Sequence, residues 1–263
     1  MLTAAPLRVV VLSTARAPGL AELLADPERG RVFELVGCLA SDPAWRDHAA
    51  VVGAGVPVAV HDLAAFCARR GVPRRDLAAR AVYDAQAVDL LRPWRAELIV
   101  LCGSLNIVTA PLLERYAGRI VNLHDADLTL VAADGRPRYR GLHATRDAVA
   151  AGEPETRSTV HLVTAELDGG PLLLRSARFP VHPLVADARR WGATDIVRAY
   201  AYAQREWMLR AAWGPLLRET VRLFATGAVR ALGGRAVIGG VLGPLELPDG
   251  DRAAPPLAGV AGA

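Results

Sequence analysis

The sequence predicts an α/β protein built on a mainly parallel, Rossmann-like twisted sheet with helices on both faces and a short C-terminal extension. Three observations carry this expectation. Continuous apolar runs such as Leu7–Leu12 and Leu98–Leu101 alternate with helical patterns, as in strands buried on both faces. The chain has 263 residues, 52% of them hydrophobic and 22% charged, enough for one large domain with a sizeable core. Polar residues also gather after Val121, at a strand end, where open α/β sheets bind ligands.

Taken in order, Leu7–Leu12 is a β-branched strand followed by the turn-like Ala17-Pro18-Gly19, and Leu20–Leu24 is a helix. Phe33–Leu39 reads as a second strand, Val56–Val60 as a short third, and Leu63–Arg70 and Leu77–Leu91 as helices. Leu98–Leu101 is a buried strand ended by Cys102-Gly103. Pro111–Tyr116 is a short helix with Thr109 as its expected cap, and Arg119–Leu123 is the next strand. Ser158–Val163 and Pro171–Phe179 flank Asp168-Gly169-Gly170-Pro171, a turn signal that makes them an antiparallel pair. Ile196–Phe224 is a long helix whose Trp207, Met208, Leu209, Trp213 and Leu217 read as core packing. The expected division is a domain over residues 1–225 and a small extension over 226–263, with a hairpin near Ala236–Leu242 and a loose tail.

Composition excludes several function classes. The 31 basic residues include no lysine, so neither a lysine Schiff base nor a P-loop lysine is available. The net charge of +4 is spread along the chain, with no basic stripe interleaved with aromatics, which argues against a nucleic-acid partner. No apolar run approaches membrane-spanning length, and Met1–Pro6 lacks a signal-peptide pattern; a cytoplasmic location is expected. Cys38, Cys67 and Cys102 have no paired spacing and read as buried thiols. No zinc-ligand spacing is found, so no metal is expected.

Asn122, Leu123 and His124 end the strand beginning at Arg119. Residues two apart on a strand share a face, so amide and imidazole can meet one pocket, and the turn at Asp168 can add a carboxylate. Together the three suit acyl transfer to an amine: amide and imidazole donate to an oxyanion, and the carboxylate stabilises charged imidazole. The same residues can instead cap loop backbone, and the residues alone leave both readings open.

The stretch from Asp89 to Pro180 resembles the folate-dependent formyltransferase family. The matching pieces, in the family's order, are Ala117-Gly118-Arg119-Ile120-Val121-Asn122-Leu123-His124, Tyr139-Arg140-Gly141-Leu142-His143, Ser158-Thr159-Val160-His161 and Leu167-Asp168-Gly169-Gly170-Pro171. This resemblance implies the formyltransferase fold and 10-formyltetrahydrofolate as co-substrate. It places Asn122, His124 and Asp168 at the catalytic positions, and makes Leu105, Asn106, Ile107, Val108, Ala165, Glu166 and Leu167 walls of the folate site. His143 and His161 fall in matching motifs and read as packing beneath that site, with His143 also a candidate for the acceptor side.

Three departures bear on the acceptor. The family's glycine-rich phosphate loop is replaced by Ala15-Arg16-Ala17-Pro18-Gly19, where Pro18 offers no N–H and Arg16 can act as a charged fork; Arg16 and Gly19 are candidate substrate-binding residues. Asp125 stands where the family has proline, which would favour protonated His124, bind a cationic amine or simply cap the loop. The segment Leu128–Arg138 is longer than the family's and carries a hairpin signal at Asp134-Gly135. Asn106 replaces an arginine common at its position. The acceptor implied is a small-molecule primary amine, either glycinamide ribonucleotide or a specialised metabolite, and a homodimer is allowed. The alternatives are a formyltetrahydrofolate hydrolase, disfavoured by the lack of an N-terminal regulatory domain, and a non-catalytic folate or metabolite binder on the same scaffold. A transfer RNA formyltransferase would be expected to carry a larger C-terminal domain.

Overall fold

The computed structural model describes residues 5–248. The first half alternates strands and helices: β1 (Leu7–Ser13), α1 (Leu20–Leu24), β2 (Phe33–Ala40), α2 (His48–Gly53), β3 (Val58–Val60), α3 (Leu63–Arg70) and α4 (Leu77–Leu91). It continues through β4 (Leu98–Leu101), α5 (Ala110–Arg115) and β5 (Ile120–His124). Next come α6 (Ala144–Ala151), β6 (Glu155–Thr156), β7 (Thr159–Leu162), β8 (Leu172–Arg175) and β9 (Phe179–Pro180). The remainder comprises α7 (Leu184–Arg190), α8 (Thr194–Ala225), β10 (Val229–Leu232), β11 (Arg235–Ile238), β12 (Val241–Leu242) and β13 (Leu245–Glu246).

Eight strands form the main sheet in the order β13-β8-β7-β5-β4-β1-β2-β3. Strands β1 to β5 run parallel to one another, whereas β7 runs antiparallel to both β5 and β8. The order of the first strands reverses between β1 and β4, the switch point beside which doubly wound folds open a ligand crevice. Alternation along the strands divides the core: Val9, Val11, Val100, Val121 and Leu123 pack toward α8, while Val10, Ile99, Leu101 and Ile120 pack with Ala87, Leu91 and Leu112 of α4 and α5. Both faces are therefore covered, as continuous apolar strands require.

Several details differ from the sequence expectation. Helices α2, α6 and α7 are short, at six to eight residues, and lie outside the elements the sequence predicts. The anticipated strand Pro171–Phe179 ends at Arg175, and Phe179–Pro180 pairs instead with Glu155–Thr156. Thr109 precedes α5 but makes no side-chain cap; its N–H and hydroxyl donate to the Asp84 carboxylate at 2.7 and 2.6 Å. Residues 229–242 form a three-stranded antiparallel sheet, and β13 then returns to the edge of the main sheet beside β8. The tail expected beyond residue 248 lies outside the described residues.

The edge is fastened by Arg157, which is 2% exposed. Its guanidinium lies 3.0 Å from Glu246 of β13, 3.5 Å from Asp127 and 3.7 Å from Glu155, and donates to the Ser176 carbonyl at 2.9 Å. Among the described residues no helix is long and apolar enough to cross a membrane.

Candidate active site

Asn122 and His124 lie on one face of β5, and antiparallel pairing sets His161 of β7 directly opposite Asn122. The Asn122 amide donates from Nδ2 to His161 Nε2 at 3.1 Å. His161 Nδ1 lies 2.9 Å from the Leu162 carbonyl, so the neutral ring carries its proton there and offers a lone pair at Nε2. An amide nitrogen has two N–H groups; this contact anchors one and leaves the other for a ligand.

The connection between β7 and β8 folds back over this face and delivers Asp168. The turn requires close backbone contact: a Cβ on Gly170 would sit 1.8 Å from the Leu162 carbonyl oxygen. Asp168 itself has φ 52°, a left-handed conformation that aspartate and asparagine tolerate better than most residues. Its carboxylate accepts the Gly141 N–H at 2.8 Å and lies 3.8 Å from His124 Nδ1 and 3.6 Å from His161 Nε2. The last two are ion-pair distances, longer than direct hydrogen bonds. His124 Nε2 is 3.3 Å from the Tyr139 carbonyl. Burial pushes the Asp168 carboxyl up, but His161, the nearby His124 charge and the Gly141 N–H together hold it down to about 2. Near neutral pH this is a buried carboxylate between two imidazoles.

The residues assigned to the folate site from sequence sit beside this centre in two loops. After β4, Leu105 and Ile107 are half exposed, while the Asn106 amide donates to Ser41 Oγ at 2.8 Å and the Leu105 N–H to Thr14 Oγ1 at 3.1 Å. Val108 packs against the core of α4 and α5. In the other loop Leu167 is half exposed, Ala165 is exposed, and Glu166 pairs with Arg136 of the long loop at 3.2 Å. That loop does turn at Asp134-Gly135, with Val131 and Pro137 bridged.

Arg80 of α4, which sequence reasoning missed, is 4% exposed. It donates to the Ile107 carbonyl at 2.7 Å and lies 3.3 Å from Asp84, yet its Nε and Nη1 are buried without a partner. They border a cavity of about 30 Å³ shared with Ser41, Asn106 and Val108. The available signal was a charged i,i+4 pair inside an apolar helix.

On the acceptor side the candidates are more separated. Arg16 pairs with Glu206 of α8, Nη1 to Oε2 at 3.1 Å. Gly19 has φ 83°, and a Cβ there would lie 2.7 Å from the Gly214 backbone nitrogen; close packing of α1 on α8 therefore requires glycine. Asp125 is buried and paired with Arg205 of α8. His143 is exposed at the start of α6, beside a shallow pocket it shares with Tyr202 and Arg205. Among the described residues no His, Cys, Asp and Glu side chains cluster as a metal site.

The family profile described as formyl transferase matches residues 7–190. The chain belongs to the formyl transferase family. It is 36% identical over 102 residues to phosphoribosylglycinamide formyltransferase of Escherichia coli K12, covering 39% of this chain and 44% of that one. It is 30% identical over 179 residues to the trifunctional purine biosynthetic protein adenosine-3 of Drosophila melanogaster, covering 67% of this chain and 12% of that protein. The chain thus spans less than half the length of these curated relatives. The crystal structure of glycinamide ribonucleotide transformylase 1 from Symbiobacterium toebii superposes with a TM-score of 0.66 at 26% identity, covering 89% of this chain and 94% of that chain. The formyl transferase match contains β5, β7 and the turn bearing Asp168, so every residue of the buried cluster lies within it.

Proposed function

We propose that the protein transfers a formyl group from 10-formyltetrahydrofolate to the primary amine of a small-molecule acceptor. The observation that carries this reading is the buried Asp168 carboxylate set between His124 and His161, with Asn122 anchored beside them. The acceptor nitrogen forms a bond to the formyl carbon, the bond from that carbon to the donor nitrogen breaks, and one proton passes from the incoming to the departing nitrogen. The free Asn122 N–H and the His124 imidazole stabilise the oxyanion. Asp168, 3.8 Å from His124 Nδ1, faces that ring and keeps it oriented. His161 positions the Asn122 amide.

The chain's side chains suit the donor. Leu105, Ile107 and Leu167 supply apolar surface for an aromatic ring system. Consumption of 10-formyltetrahydrofolate with and without added amines, in the wild type and His124→Ala, tests the proposal. Amine-dependent turnover lost in the variant is expected. Formate release without any amine would make the protein a hydrolase, and failure of the donor to bind would overturn the folate assignment.

A further inference from the structure

We infer that the amine acceptor carries no phosphate at the turn between β1 and α1, because the chain's own Asp47 carboxylate already occupies that turn as its anion. The inference rests on the formyl-transfer reading and specifies the acceptor. In doubly wound sheets the turn after the first strand, beside the switch point, is where backbone N–H groups receive phosphates. Here the Ala17 N–H donates to Asp47 Oδ2 at 2.6 Å, and Pro18 has no N–H to offer.

Asp47 is diverted to this role. It is the residue before α2, where an aspartate ordinarily caps its own helix, yet it makes no such bond and reaches across to the turn instead. Arg16, the charged fork within the turn, is engaged by Glu206. The turn is also held in place: Ser13 Oγ donates to the Arg16 carbonyl at 2.9 Å and Cys102 Sγ to the Pro18 carbonyl at 3.0 Å. A Cβ on Gly103 would stand 2.0 Å from the Arg16 oxygen, so the backbone is packed against the end of β4 and cannot step aside. An incoming phosphate would meet a like charge, a spent amide and a fixed loop. Arg205 and Glu206 are consecutive on α8, so the Asp125–Arg205 and Arg16–Glu206 pairs link the residue after His124 to this turn with charges already neutralised. Such a wall suits an uncharged acceptor body. The exposed Arg46, whose N–H donates to the Ala15 carbonyl at 3.1 Å, is the cation a phosphate would use if the inference is wrong.

Two measurements test this. Calorimetry with ribose 5-phosphate is run on the wild type, Asp47→Asn and Asp47→Ala; the asparagine variant keeps the side-chain size and removes the charge. The wild type is expected to show no binding at millimolar ligand, and at least one variant to bind at least about tenfold more tightly. Submillimolar binding to the wild type overturns the inference, as does failure of both folded variants to gain affinity. Turnover is then compared for glycinamide ribonucleotide and its dephosphorylated ribonucleoside, which differ only in the phosphate. A wild type that turns over the nucleotide faster than the nucleoside also overturns it. The calorimetry needs no catalysis, so a protein that fails to bind 10-formyltetrahydrofolate sinks the formyl-transfer reading while leaving the state of the turn separately decided.

Discussion

Replacing Asp168 with asparagine removes one buried charge and little else. Asparagine accepts the left-handed φ of 52°, and its Oδ1 can still receive the Gly141 N–H, whereas alanine would strain the backbone. The wild-type carboxyl is held at about 2 rather than 3.8, so its ionised form is favoured by about 2–3 kcal/mol. Independently, a unit charge 3.8 Å from His124 Nδ1 is worth roughly 4 kcal/mol to a protonated imidazole at an effective dielectric near 20. These figures bracket the loss of transition-state stabilisation, giving a fall in kcat between about sixty-fold and a thousand-fold. The assay is steady-state consumption of 10-formyltetrahydrofolate at saturating amine, with the KM for the donor expected to stay near its wild-type value because the donor's apolar contacts are untouched. A folded Asp168→Asn protein whose kcat lies within about threefold of wild type would refute the electrostatic role derived for this carboxylate.

The same group sets an acid limb of stability. Because the folded carboxyl sits at about 2, below its usual 3.8, its contribution is fully present above about pH 4 and disappears as the pH falls through 2. The melting temperatures of wild type and Asp168→Asn should therefore converge over that interval; a constant gap would contradict this. Gly19→Ala should destabilise by about 2–4 kcal/mol, since the new Cβ combines positive φ with a 2.7 Å backbone collision; a thermal melt within two or three degrees of wild type would argue against the close approach of α1 to α8. Arg157→Met should cost about 2–3 kcal/mol, chiefly by leaving the largely buried Asp127 without its cation, since Glu246 keeps Arg175 and Glu155 keeps Arg178. Hydrogen exchange should rise at both β13 and the Asp127 loop, and a change confined to one of them would refute the coupling.

Much of the frame is legible in the sequence because its signals are local. The apolar runs of β1, β4 and β5 are continuous, and the Asp-Gly-Gly-Pro turn announces the β7–β8 reversal. Period-two alternation puts Asn122 and His124 on one face of a strand, and the ordered motifs of the family resemblance single them out as site residues. What escaped depends on register and on distant partners. His161 reads from its motif as packing beneath the folate site, and only the β5–β7 pairing sets it opposite Asn122. Arg80 gives no signal in the sequence beyond its spacing from Asp84, and its burial follows from the packing of α4 against the loop after β4. Arg16 reads as a charged fork for the acceptor, but it is tied to Glu206, 190 positions away, which no spacing within the loop could reveal. Helix α6 spans only eight residues, four of them alanine, so its periodic signal covers little more than two turns.

The Arg157 clamp has a consequence for how the protein is made. It joins Asp127, three residues after His124, to Glu246, near the end of the described chain. During translation β1 to β5 emerge first and can assemble through contacts between segments already synthesised. The strand that completes the sheet edge and supplies the clamp's nearest carboxylate emerges more than a hundred residues later. A chain that has emerged only as far as α8 holds Arg157 against Asp127 and Glu155 but lacks Glu246, the nearest carboxylate of the set. The sheet edge beside β8 is therefore closed late in synthesis, after the residues of the buried cluster have been made.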